Sequence, residues 1–164
     1  MVDHSRVAAE KGPATYAIEE HGNVLVAVCV DTVTVPSLER LLGATKGLAL
    51  RFPAGVGVVL VLPPDAPLLS TKRERDLASE LLSVSGIAAF ALVLEGDGFW
   101  AAAARSILVG LNALSRRTIP TKVFASIDQA APWLYSMVHR PAGGLVGLTT
   151  TLQAIRSRAT PRWR

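Results

Sequence analysis

Three continuous apolar runs set the frame of the chain: Val24 to Val30, Val56 to Leu62 and Ile87 to Leu94. None shows the polar–apolar alternation of a half-solvated strand, so each reads as a strand covered on both faces. A shorter strand is expected at Thr121 to Ala125 and a weak one at Tyr16 to Glu19. His21, Gly22 and Asn23 follow the weak strand, and their Gly-Asn pair suits a tight turn, which predicts a hairpin at the sheet edge. Between the runs the pattern changes to helical spacing. Leu38, Leu41, Leu42, Thr45 and Leu48 share a face behind Pro36, although Gly43 and Gly47 cost this helix about 1 kcal/mol each relative to alanine. Thr71 with Glu74 forms a capping box ahead of Leu77, Ala78, Leu81 and Leu82. Asp97 is placed to cap a long helix in which Trp100, Ala103, Ile107, Leu111 and Leu114 align, and Ser126 with Gln129 forms a second box ahead of Ala130, Ala131, Leu134 and Val138.

Covered strands alternating with helices imply parallel neighbours joined by right-handed crossovers. The expected fold is therefore α/β: a mostly parallel sheet of about five strands, its N-terminal edge strand antiparallel, with helices on both faces. Residues 1–13 are expected to be a flexible N-terminus, 14–138 the α/β body and 139–164 a basic amphipathic tail. In that tail Leu145, Leu148, Leu152 and Ile155 lie on one helical face, and Arg156, Arg158, Arg162 and Arg164 crowd its end. Such a segment docks on its own body, on a partner or across a homodimer, or on an acidic membrane surface. Docking on the body or across a dimer is the plainer reading, because apolar stripes end up covered.

Composition narrows the field. The chain has 164 residues, half of them apolar, enough for one substantial core. No apolar run approaches the roughly 20 residues of a membrane-spanning helix, and the first residues hold no secretion signal, so a cytoplasmic location is expected. The single cysteine, Cys29, excludes an intrachain disulfide and sits inside an apolar run, where it reads as a small buried side chain. Of the 17 Lys and Arg, five follow Tyr135, where there are no acids, leaving 12 against 13 acidic residues upstream. The body is thus near neutral and no nucleic-acid surface is indicated.

Four strand-helix turns after an edge hairpin, with a capped helix after the second parallel strand, resemble the STAS domain of anti-sigma-factor antagonists over roughly Tyr16 to Tyr135. Ala89, Phe99, Trp100, the Lys122-Val123-Phe124 strand and the closing Ala130, Ala131, Trp133 and Leu134 are similar to bacterial STAS-like/SEC14-like proteins of unknown function. The resemblance implies a non-enzymatic regulatory module that binds a protein partner through the second helix and adjacent loops; the alternative it implies is a small-ligand or lipid-binding domain with a pocket between helices and sheet. It also implies a phosphoacceptor serine at the start of the second helix. Ser70 and Thr71 stand there, in Leu68-Leu69-Ser70-Thr71, matching the family's hydroxyls without its aspartate and glycine. A phosphate at a helix N-terminus would meet free N–H groups and the positive end of the dipole, with Lys72, Arg73 and Arg75 nearby. The simpler reading makes Thr71 an N-cap.

In parallel sheets ligands and partners meet the carboxyl ends of the strands, so the candidate partner or ligand residues are Asp65, Lys72, Arg73, Arg75, Gly96, Asp97, Gly98 and Phe99. Gly96-Asp97-Gly98 lacks the third glycine and the later acid of a dinucleotide fingerprint and reads as a turn with an N-cap. His4, His21 and His139 are scattered, and no serine has a nucleophile elbow, so neither a cofactor, a metal site nor a catalytic residue is expected.

Overall fold

The alternation written into the strands decides which helix covers which face. In the computed structural model, which describes residues 16–63, 69–95, 102, 105, 106, 109, 110, 113, 119–139 and 141–159, the strands β1 (Tyr16–His21), β2 (Val24–Cys29), β3 (Val56–Leu62), β4 (Ile87–Leu94) and β5 (Thr121–Phe124) form one sheet in sequential order. β1 runs antiparallel to β2 and the other pairs are parallel. The described helices are α1 (Val35–Arg51), α2 (Lys72–Leu82), α3 (Ile127–Met137) and α4 (Gly144–Arg158). None of them is long and apolar enough to cross a membrane. The helix expected after Asp97 lies outside the described residues apart from Ala102, Arg105, Ser106, Val109, Gly110 and Ala113, which are helical.

Leu25, Ala27 and Cys29 of β2, Val58 and Leu62 of β3, and Phe90, Leu92 and Leu94 of β4 point to one face, where α1 and α2 bury Leu38, Leu41, Leu48, Leu77 and Leu81 against them. The intervening residues, Val24, Val26, Val28, Val59, Val61, Ala89, Ala91 and Val93, point to the other face. Both faces of β2 are buried throughout, as the unbroken apolar run requires.

The second face is lined by smaller side chains, and α3 comes close because of it. A Cβ added at Gly57 would lie 2.8 Å from Val138 Cγ2 and 3.1 Å from Leu134 Cδ1, so this position has room only for hydrogen. Beside α3, α4 seats Leu148, Leu152 and Ile155 in the same apolar layer. Over Gly144–Arg158 the segment expected as a basic amphipathic tail is a helix whose apolar stripe is buried on the body. In its first turn Leu145 is 37% exposed.

The connector into α4 is tied to the β1–β2 turn. His21 Nε2 donates to the Ala142 carbonyl at 2.8 Å, and Gly22, at φ +57°, leaves space for Ala142 where a Cβ would come within 2.9 Å of it. Buried Asn23 donates through Nδ2 to the carbonyls of His139 (3.0 Å) and Gly55 (3.3 Å). Its Oδ1 is also buried and has no hydrogen-bond partner among the described residues.

Candidate functional site

The start of α2 is built by local hydrogen bonding. Thr71 sits in extended backbone as the N-cap, its hydroxyl accepting from Glu74 N at 3.1 Å. Glu74 Oε2 reaches back to accept from Ser70 N (2.7 Å), Thr71 N (2.9 Å) and Ser70 Oγ (3.2 Å). These donors, the Thr71 N–H first among them, hold the Glu74 carboxyl below the usual glutamate range. The carboxylate therefore occupies the position a phosphate at this helix end would use, and Ser70, Thr71 and Glu74 form one closed arrangement. Arg75 adds a hydrogen bond to the Ser70 carbonyl at 3.0 Å.

Beyond this cap every exposed position of α2 is charged: Lys72, Arg73, Arg75, Asp76 and Glu80. Lys72 pairs with Asp76 one turn on, at 2.7 Å. Two further pairs cross to α1, Arg73 with Glu39 at 3.0 Å and Lys46 with Glu80 at 2.8 Å. The structure thus brings Ser70, Thr71, Lys72, Arg73 and Arg75 together on one α1–α2 surface. Asp65, Gly96, Asp97, Gly98 and Phe99 lie outside the described residues.

Next to α2, the loop from β2 into α1 closes on itself. Thr34 and Ser37 form a capping box, and Cys29 Sγ donates to the Thr32 carbonyl at 3.3 Å. Burial, with a smaller contribution from Asp31, pushes the Cys29 thiol up to about 11. A thiol so protonated at neutral pH is a core side chain and a poor nucleophile.

Ion pairs between distant elements have no local signal in the sequence, and one of them joins the sheet to α4. Glu95, just past β4, accepts from Arg156 Nε (2.6 Å) and from its terminal nitrogen (2.5 Å) across 61 positions. Both side chains are about 30% exposed. The fork geometry of Arg with a carboxylate makes this the best-formed ion pair of the described residues, and it fastens the last turns of α4 to the carboxyl end of the sheet. The carboxylate holds Arg156 above its ordinary range.

Two spaces are lined by described residues. The cavity between α1 and the sheet, lined by Tyr16, Ile18, Cys29, Val33, Leu38 and Leu60, holds about 10 Å³, the room of a single water. A wider groove of about 320 Å³ opens at the amino ends of the strands, between Pro53, Gly55, Gly86, Ala88 and Pro120. Among the described residues no group of three or more His, Cys, Asp and Glu is arranged to hold a metal ion. In comparisons with known proteins the chain matches no family model, no curated protein and no solved structure.

Proposed function

We propose that the chain is a non-enzymatic regulatory module that binds a protein partner through α2 and the loops beside it. The observation that carries this reading is the α1–α2 surface itself, where charge fills every exposed position of α2 and the pairs that neutralise it are solvated. Their side chains are 50–84% exposed, and ion pairs so placed contribute only about 0–1 kcal/mol each. A partner with complementary charges exchanges these contacts for its own at little cost, and its rim charges set association rate and specificity. The STAS resemblance supports the same surface. Ser70 and Thr71 lie on it, and a phosphate added there would compete with the Glu74 carboxylate for the same N–H donors, changing the sign of the surface next to Arg73 and Arg75. The cavity beneath α1 has the room of a single water, so the alternative, a lipid or small-ligand pocket between helices and sheet, does not lie beneath α1.

The test is a quantitative comparison of two baits in extracts of the native cells, the wild type and the double charge reversal Arg73→Glu/Arg75→Glu. A protein enriched by the wild type and lost with the reversal is the expected result. The same enriched set with both baits would refute the assigned surface. Mass spectrometry of the native protein should find phosphate on Ser70 or Thr71 if the cap is a switch, and its absence under all growth conditions removes that part of the reading.

A further inference from the structure

The two helical layers differ sharply in charge. On the α3–α4 side the exposed positions are Gln129, Pro132, Tyr135, Ser136 and Met137 on α3 and Leu145, Val146, Thr150, Gln153, Ala154 and Ser157 on α4, with only Asp128 and Arg158 charged. Both charges are engaged within the chain: Asp128 accepts from Gln153 Nε2 at 2.7 Å, and Arg158 pairs with Glu19 at 2.6 Å. Four large apolar side chains stand in the solvent here, Val146 at 78%, Tyr135 at 41%, Leu145 at 37% and Met137 at 36%. Tyr135 and Met137 lie in the last turn of α3, and Leu145 and Val146 in the first turn of α4, the helix packed beside it.

We infer that this face is a self-association surface, covered by the same face of a second copy of the chain. A two-fold contact sets a patch against itself, which is free of like-charge repulsion only where the patch is uncharged. Apart from Asp128 and Arg158, the exposed positions of α3 and α4 meet that condition, whereas those of α2 are all charged. Asp128 and Arg158 already have partners, so closing the contact strands neither of them in a dry interface. An anionic membrane would instead need cations beside the apolar residues, and the arginines of α4 are committed to Glu95 and Glu19. The size of the face sets the strength. A helix of 15 residues is about 22 Å long at about 1.5 Å per residue, and two helices side by side span about 20 Å. The resulting footprint, on the order of 400–500 Å² per copy, falls below the roughly 800 Å² of a stable interface, so the dimer is weak and reversible.

Sedimentation velocity on the full chain from about 1 µM to about 1 mM tests this, a range that brackets micromolar association. The sedimentation coefficient should rise with concentration and keep rising when salt is increased, because apolar contact carries the interface. Val146→Asp, with unchanged far-ultraviolet circular dichroism and Tm, should weaken association about tenfold or more, since it buries an unpaired charge. Leu50→Asp, placed on α1 where the side chain is 86% exposed, should leave association unchanged. A wild type that stays monomeric throughout, or association that Val146→Asp does not weaken, overturns the inference. Co-sedimentation of monomeric wild type with vesicles of anionic lipid, abolished by Val146→Asp, would assign the face to a membrane and overturn it too.

Discussion

Replacing Leu152 by alanine asks whether α4 is core or appendage. Leu152 is fully buried in the layer that also holds Val24, Val26, Val28 and Leu148. Removing a buried leucine side chain costs about 2–5 kcal/mol, the spread reflecting how far the surroundings relax. The site is bounded by the sheet, which cannot collapse onto the void, so about 3 kcal/mol is expected. For a domain of this size each kcal/mol lowers Tm by about 2–4 °C, giving a drop of about 6–12 °C. Leu145→Ala is the internal control: same helix, same substitution, but a side chain 37% exposed, for which less than about 1 kcal/mol is expected. Urea unfolding followed by circular dichroism measures both, and a single transition for each variant shows that α4 melts with the sheet. Equal losses for the two variants, or a separate early transition in Leu152→Ala that leaves the main one unmoved, would refute the placement of α4 in the core.

Two further outcomes follow from the geometry. Gly57→Ala should cost about 1–2 kcal/mol, since overpacking of a tight core, about 1–3 kcal/mol, outweighs the gain of about 0.4–1 kcal/mol from a stiffer unfolded chain; the loss should shrink when Val138→Ala makes room, and a Gly57→Ala variant as stable as wild type would contradict the close seat of α3. Glu74 has a folded-state pKa below its unfolded value, so the stability it contributes is present above the unfolded pKa, about 4.3, and is lost as pH falls through the folded one. Carboxyl NMR titration should place its midpoint below that of a solvated glutamate, and a midpoint at or above it would mean the cap is open in solution.

Much of this fold is legible because burial on two sides leaves a plain mark. Val24–Cys29, Val56–Leu62 and Ile87–Leu94 carry no polar residue, and such segments have few alternatives to a central parallel strand. Capping is similarly local: Thr71 and Glu74 are three apart, and both hydrogen bonds of the box form. At Ser126 half the reading holds, since its hydroxyl accepts from Gln129 N while Gln129 Oε1 turns to the Ala125 N–H. What a sequence does not carry is destination. The period of Leu148, Leu152 and Ile155 says that one side of α4 is covered, whereas the covering surface, three valines more than a hundred positions earlier, is set by topology. The same holds for Glu95 and Arg156, and for the charged pairs that join α1 to α2: spacing exposes pairs within a helix, such as Lys72 with Asp76, and hides those between elements.

The way α4 reaches back to β1 and β2 bears on how the protein is made. Each strand from β1 to β4 finds its sheet neighbour soon after leaving the ribosome, because spatial order follows chain order. Val24, Val26 and Val28 have no such fortune on their other side: their cover includes Leu148, Leu152 and Ile155, synthesised more than a hundred residues later. A nascent chain released early, or stalled before about residue 155, would present a bare oily wall on a sheet that is otherwise formed. Premature termination in this gene should therefore yield sticky, chaperone-bound fragments rather than a smaller working domain.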